Sequence, residues 1–157
     1  MDAKRIDINF VTPRDKIGWP LDPIESLAGR LVGDNEYEIL ETPYFANGLA
    51  CGDVVSVSLD DGQLWGNHLV RQSGHSTVRV ALIAKPERQA LQEGIEARGC
   101  AFFSGKLRSW YAVDVPPDVD YRPLFEFLSE GLARKAWEFE ESALADKHVS
   151  EKKLTKQ

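Results

Sequence analysis

The chain has 157 residues, of which 43% are hydrophobic and 28% are charged, and its formal net charge is −6. This composition is typical of a folded protein with a packed core and excludes an intrinsically disordered chain. No apolar run approaches the ~18 residues of a membrane span, and the N-terminus lacks the basic start and apolar stretch of a secretory signal. We therefore expect a cytoplasmic protein of one domain or two small ones.

The negative charge belongs to the first half of the chain. Residues 1–75 contain 6 Lys and Arg against 12 Asp and Glu, whereas residues 76–157 contain 13 of each kind. An acidic half repels phosphates, so it disfavours nucleic-acid binding and favours a basic partner. A plain gain in solubility is the alternative explanation of the same charge.

The first half predicts strands and no helix. Short alternating or β-branched segments, bounded by turn signals, lie at residues 5–12, 26–32, 37–41, 53–59 and 63–71. Between the last two, Asp60, Asp61 and Gly62 form a hairpin signal. Residues 12–23 contain three prolines and predict a loop that exposes Trp19. Five strands in so short a stretch predict a small β-barrel-like half over residues 1–75.

The second half mixes strands with helices. Alternation predicts strands at residues 77–84, 100–104, 107–115 and 137–141, and apolar residues three or four apart predict helices at residues 86–98 and 121–135. The order strand, helix, strand, strand, helix, strand predicts a ferredoxin-like βαββαβ half over residues 76–145. Residues 146–157 form a polar, basic tail, and we expect residues 147–157 to fray. The predicted fold class is α+β.

The sequence offers four weak catalytic candidates, Ser73, His75, Ser76 and Asp114. The first three lie in the stretch VRQSGHSTVRV, at residues 70–80. A histidine beside two serines is compatible with a base and a nucleophile, but it needs an orienting group and an oxyanion site. The favoured interpretation of residues 73–76 is a connector between the two halves, with a ligand contact or a catalytic role as alternatives. For Asp114 we favour an outward-facing position at a strand end over a buried acid.

The remaining histidines and the cysteines predict no metal site and no cofactor. His68 shares the apolar face of its segment, which predicts a hydrogen-bonded core residue. His148 has no neighbour at ligand spacing, and Cys51 and Cys100 stand far apart in the sequence. Two free thiols are the expected state of such cysteines in a reducing compartment.

Several segments together resemble a known family. They are residues 43–48 (PYFANG), 52–55 (GDVV), 71–77 (RQSGHST), 112–116 (AVDVP) and 137–141 (WEFEE). As a set they resemble the bacterial domain-of-unknown-function family 4265, and the similarity spans roughly residues 5–145. The resemblance implies a small, soluble bacterial protein with no established catalytic residues, so it assigns no site.

The leading functional prediction is a non-enzymatic binding protein of the immunity or antitoxin type, which covers a basic toxin-like protein. The predicted contact residues are one aromatic anchor and five acids: Trp19, Asp34, Glu36, Glu38, Asp60 and Asp61. One alternative is an enzyme with a His75-centred cleft between the halves. The other is an RNA-associated module that presents strand aromatics, although the chain has neither a basic stripe nor an RNA-recognition signature. Its candidate rings are Phe102, Phe103, Trp110 and Tyr111.

Overall fold

The computed structural model describes residues 5–12 and 23–154. The fold is α+β, as predicted, with two sheets and three α-helices in the described ranges. The predicted contact residue Trp19 lies outside these ranges, so its part in the prediction stays open.

The first sheet contains five strands that close into a barrel. The strands are β1 (Asp7–Val11), β2 (Ile24–Gly33), β3 (Glu36–Ile39), β4 (Val54–Asp60) and β5 (Gln63–Arg71). Consecutive strands pair antiparallel, and β1 closes the ring because it also pairs in parallel with β5. Apolar side chains from successive strands, among them Ile8, Leu27 and Val55, fill the interior.

The turns of this barrel follow the residues that the sequence offers. Asp61 and Gly62, between β4 and β5, both have a positive φ, of 51° and 75°. That pair of conformations is the one a two-residue hairpin of the favoured twist requires, and Gly adopts it without a steric penalty. Asn35, with a φ of 54°, turns the chain between β2 and β3.

The second sheet contains four strands. They are β6 (Ser76–Leu82), β7 (Ala101–Ser104), β8 (Trp110–Val115) and β9 (Trp137–Ala143). The spatial order is β7-β8-β6-β9, and every neighbouring pair is antiparallel. The central strand β6 is almost wholly buried because both of its faces are covered.

Helices cover one face of the second sheet. The helices are α1 (Arg88–Ala97), α2 (Tyr121–Ala133) and α3 (Asp146–Lys153). Leu91 and Ile95 of α1, and Leu124 and Leu128 of α2, are fully buried in the core that these helices form with the sheet. The Asp120 side chain caps α2 by accepting from the backbone N–H of Arg122.

The prediction of a frayed tail is wrong for most of its length. Asp146–Lys153 forms α3, and His148 on this helix has no exposed surface. The error has a simple cause. The helix is polar over most of its surface, so its apolar signal is too weak to see in the sequence, and polar contacts hold it instead: buried His148, Glu151 to the backbone N–H of Tyr121, and Lys152 to Glu141.

The loop between β3 and β4 covers the other face of the second sheet and joins it to the barrel. Thr77 and Arg79 of β6 point to this face, whereas their neighbour Val78 points to the helices. The Thr77 hydroxyl donates to the carbonyl of Leu49 at 2.8 Å, and the Arg79 guanidinium donates to the carbonyl of Ala46 at 2.9 Å. Polar side chains of the sheet therefore satisfy the backbone of the loop.

Candidate functional site

His75 and Asp114 form a hydrogen-bonded pair where the barrel meets the second sheet. The Nδ1 atom of His75 lies 2.8 Å from Oδ1 and 3.1 Å from Oδ2 of Asp114. When Asp114 is ionised, Nδ1–H donates to it, and Nε2 of the neutral ring keeps its lone pair. The His75 side chain is 27% exposed, so solvent reaches a histidine whose orientation the carboxylate holds. This arrangement has the geometry of a general base with its orienting acid.

The favoured prediction for Asp114 is wrong. The residue is 8% exposed, not outward-facing, because β8 is an inner strand whose non-helical face lies next to the connector before β6. Burial raises the pKa of the Asp114 carboxyl above its usual range, and the hydrogen bond from His75 acts in the opposite direction.

Ser73 positions His75 and is itself fully engaged. Its hydroxyl donates to the carbonyl of Cys51 at 2.7 Å and accepts from the backbone N–H of His75 at 3.0 Å. The backbone N–H of Ser73 donates to the buried carboxylate of Asp53 at 2.9 Å, and Asp53 also accepts from the N–H of Ala50. These contacts give Ser73 a structural role and leave its hydroxyl proton committed to a carbonyl.

A close backbone approach completes this connector. A Cβ atom on Gly52 would lie 2.9 Å from Cβ of Ser73, and Gly52 has a φ of 85°. Both facts require glycine at position 52.

Ser76 does not join His75. Its side chain lies on the opposite side of β6, where it is 2.6 Å from Nδ1 of His148 and accepts from the backbone N–H of Ala145 at 2.8 Å. Nε2 of His148 lies 3.1 Å from the carbonyls of Pro116 and Val119 and donates to them, so Nδ1 accepts from the serine. Ser76 and His148 have no exposed surface, which closes this pair to a substrate. Burial lowers the pKa of His148.

His68 is exposed, so the prediction of a core histidine is wrong for this residue. Both faces of this end of β5 are exposed, since residues 67–71 are all exposed. The register also shifts here: Val55 is opposite Leu69 and Val57 is opposite Gly66, which leaves two residues facing Ser56. A register shift of this kind breaks the regular alternation on which the prediction depended.

Most of the predicted acidic contact residues lie at one end of the barrel. Asp34 is in the β2–β3 turn, Glu36 begins β3, Asp60 ends β4, and Asp61 is in the β4–β5 turn. Strands β2 and β4 run in the same direction because β3 is antiparallel to both, so the two turns point to the same end. No ion pair joins any of these four acids to another residue of the described ranges. Glu38 differs, because it accepts from the Arg30 guanidinium.

Two leucines lie beside these turns. On β2, Leu27 and Gly29 point into the barrel, and Leu31 lies on the same face of the strand. On β4, Val55 and Val57 point inward, and Leu59 lies on that same face. Leu31 is 58% exposed and Leu59 is 72% exposed. Leu31 and Leu59 together with Asp34, Glu36, Asp60 and Asp61 are called the acidic mouth below. The sequence shows the acids of this surface but not the leucines, which the alternation assigns to the core.

The strand aromatics are packed and do not form an open stacking platform. Tyr111 is buried, and its ring stacks on Phe102 with centroids 4.7 Å apart. Trp110 stacks on Phe45 with centroids 6.2 Å apart and an angle of 4° between the rings. Phe103, at 42%, is the most exposed of the four predicted rings. The face that an RNA-binding sheet would present is therefore largely occupied by this protein's own residues.

The two cysteines are free, and burial raises the pKa of both thiols, that of Cys100 to about 12. A raised pKa opposes thiolate formation and hence reactivity. Within residues 5–12 and 23–154, no three His, Cys, Asp or Glu side chains lie close enough together to hold a metal ion. In the same ranges, no helix has the length and apolar character required to cross a membrane.

The fold and the site define a small α+β protein with a barrel, a helix-covered sheet and a histidine–carboxylate pair between them. The chain belongs to the family described as Domain of unknown function (DUF4265), whose model matches residues 25–139. That match includes His75, Asp114 and the acidic mouth.

No curated protein matches the chain. Among solved structures, it is similar to the crystal structure of a hypothetical protein from Neisseria gonorrhoeae, with 21% sequence identity and a TM-score of 0.78. The similarity covers 92% of this chain and 99% of that one. At this level of identity the likeness shows the fold alone.

Proposed function

We propose that this protein is a non-enzymatic, cytoplasmic binding protein whose acidic mouth covers a basic protein surface. The most concrete form of the proposal is an immunity or antitoxin-type protein that neutralises a basic toxin by occlusion. The observation that carries it is the convergence of two hairpin turns, which brings four acids to one end of the barrel beside two exposed leucines.

The composition of the acidic mouth supports binding to a protein. Interfaces commonly combine an apolar centre with a polar rim, and Leu31 and Leu59 supply the apolar part. Acids that no described residue pairs with can attract a basic partner and speed its encounter. We expect Glu38 to contribute less, because Arg30 already neutralises it.

The scaffold is compatible with this role. We interpret the second half as ferredoxin-like, because its elements follow the order βαββαβ and its strands the order β7-β8-β6-β9. The loop between β3 and β4 joins this half to the barrel: Ala46 and Leu49 pack in the barrel core, and their carbonyls accept from Arg79 and Thr77. The proposal requires no cofactor.

The test is co-purification of the tagged protein from its native host at low and high salt. The key variant is Asp34→Asn/Asp60→Asn/Asp61→Asn. Its matched control is Glu93→Gln/Glu126→Gln/Glu130→Gln, which removes the same charge from exposed positions on α1 and α2. We expect one stoichiometric, basic partner that the wild type and the control retain at low salt, and that high salt or the Asn variant releases.

Two outcomes contradict the proposal. One is the absence of any stoichiometric partner at low salt. The other is a partner that the Asn variant and its control bind equally well, because the acidic mouth then plays no special part.

The His75–Asp114 pair favours a second candidate function, an enzyme that acts on a small molecule with His75 as its base. The variants His75→Gln and Asp114→Asn test it against a panel of chromogenic ester and phosphoester substrates. An enzyme of this kind loses at least ~100-fold in rate in either variant. Its melting temperature changes by only a few degrees. A wild type that turns over no substrate of the panel faster than His75→Gln speaks against this candidate.

A further inference from the structure

A basic cavity lies at the end of the second sheet away from α3, between the start of α1 and the β7–β8 turn. Its volume is about 440 Å³, within the range of small-molecule sites. The residues that line it are Leu82, Lys85, Arg88, Ser104, Gly105, Leu107, Arg108, Ser109 and Tyr111. Three of them are cations and none is an acid, in a chain whose net charge is −6. The cavity is therefore more basic than the second half around it, in which Lys and Arg balance Asp and Glu.

The cations are available to a ligand. No ion pair within the described ranges involves Lys85, Arg88 or Arg108. The nearest acid along the chain, Glu87, instead accepts from Arg134 at 2.7 Å. No acid in residues 5–12 and 23–154 therefore neutralises the positive charge of the cavity.

Arg88 is also held in place before any ligand arrives. Its guanidinium lies over two aromatic rings, 5.7 Å from the centroid of Phe102 and 5.6 Å from that of Tyr111. Nη1 donates to the side chain of Gln92 at 3.0 Å. Stacking and one hydrogen bond reduce the side-chain entropy that binding costs, and they leave other N–H groups of the fork free.

The backbone beside the cavity is strained. Ser109 has a φ of 66°, a left-handed conformation that costs a non-glycine residue energy. The backbone N–H of Leu82 donates to the Ser109 carbonyl at 2.8 Å and holds this turn in place. Ser104 and Ser109 both line the cavity, so hydroxyl donors stand beside the three cations.

We propose that this cavity binds a small phosphorylated molecule, with Lys85, Arg88 and Arg108 around the phosphate. Three cations suit a group of more than one negative charge, and Arg and Ser donors match phosphate oxygens. A small ligand is favoured over a nucleic acid because the site is concave and the rest of the chain is acidic, which repels a long polyanion.

The experiment is a titration of the full-length ¹⁵N-labelled protein with pyrophosphate, followed by amide chemical shifts. Sodium chloride at equal ionic strength is the reference. The test variant is Lys85→Gln/Arg108→Gln, and Arg71→Gln/Lys153→Gln is the control, which removes the same two residue types from exposed positions outside the cavity. We expect saturable shifts at the amides of Leu82, Arg108 and Ser109. The test variant weakens binding about tenfold or more, and the control changes it less than about twofold.

Three results overturn the proposal. One is the absence of saturable shifts at the cavity up to about 10 mM pyrophosphate, a concentration that detects even millimolar affinity. The second is equal weakening in the test variant and the control, which indicates a general charge effect. The third is the finding that a single-stranded oligonucleotide shifts the same amides and that pyrophosphate does not displace it. That finding would assign the cavity to nucleic acid instead.

Discussion

The Oγ atom of Ser76 lies 2.6 Å from Nδ1 of His148, which follows it by 72 residues, and neither side chain has exposed surface. The serine donates to the histidine and accepts from the N–H of Ala145, and the histidine donates onward to two carbonyls. Each polar atom of the pair therefore has a partner, as burial requires. The pair joins α3 to β6, and Glu151 and Lys152 add contacts from the same helix to Tyr121 and Glu141.

Replacing Ser76 is expected to destabilise the fold. Ser76→Ala leaves Nδ1 of His148 and the N–H of Ala145 buried without a partner, at a cost of about 1–3 kcal/mol in the free energy of unfolding. Ser142→Ala is the matched control, because the Ser142 hydroxyl is buried with no partner in the described structure, so its removal is expected to be neutral or stabilising. Urea unfolding of the two variants measures the difference. Equal losses in both would contradict the role assigned to Ser76.

Stability is expected to fall in mild acid through His148. Burial lowers the pKa of His148 in the folded state, so the unfolded state binds the proton more readily. The stability that the neutral, buried His148 contributes is fully present above the pKa of about 6.5 that the residue has in the unfolded state. It is lost progressively as the pH falls below that value, toward the pKa in the folded state. The carboxyls of Asp53 and Asp114 have raised folded pKa values, so their proton uptake acts in the opposite sense at lower pH.

The variant His148→Gln isolates that contribution, because every other titrating group is shared with the wild type. The urea concentration at the unfolding midpoint is expected to fall between pH 7.5 and pH 5.5, and to fall more in the wild type than in His148→Gln. If the two proteins lose the same stability over this interval, His148 is not the responsible group.

Arg79 is expected to be needed as arginine rather than as a positive charge. It is 2% exposed, and it donates to the carbonyl of Ala46, to Asn47 at 2.6 Å and to Glu140 at 2.9 Å. One ammonium group cannot reach all three, so Arg79→Lys is expected to cost about 1–3 kcal/mol. Hydrogen exchange at Gly48, whose N–H donates to the Ser142 carbonyl, is expected to accelerate as the loop loosens. The exposed Arg71→Lys serves as control and should leave both values unchanged.

Much of the fold could be predicted because local pattern decides it. Strand alternation, Asp61 with Gly62 at a hairpin and the Asp120 cap depend on residues within a few positions of one another. The error at His68 has another cause: residues 67–71 are exposed on both faces of β5, and the alternation does not show where the buried part of a strand ends.

The sites were harder to predict because they depend on contacts between distant segments. His75 meets Asp114 across 39 residues, and the partner of Ser76 lies in a helix without an apolar signal. The sequence shows the acids of the acidic mouth, but the exposure of Leu31 and Leu59 depends on where the barrel ends. The basic cavity joins α1 to the β7–β8 turn, which the helix and strand patterns alone do not place together.

Gly52→Ala is expected to lower the free energy of unfolding by more than the strained backbone conformation alone accounts for. Gly52→Ala puts a residue at a φ of 85°, a conformation that costs about 1–2 kcal/mol, and it places Cβ 2.9 Å from Cβ of Ser73. Relief of that contact moves Ser73, which also breaks its hydrogen bonds to Cys51 and His75. We expect a total loss of about 2–5 kcal/mol.

Gly62→Ala separates the two effects. Gly62 has a φ of 75° but open space around its Cβ position, so its replacement is expected to cost only the conformational part, about 1–2 kcal/mol. Urea unfolding gives both values, and the ring resonances of His75 report whether the connector moves. Equal losses, with His75 unchanged in both variants, would mean that the contact between residues 52 and 73 has no part in positioning His75. A larger loss in Gly52→Ala with a displaced His75 resonance would show that the β3–β4 loop, through Ser73, holds the histidine against Asp114.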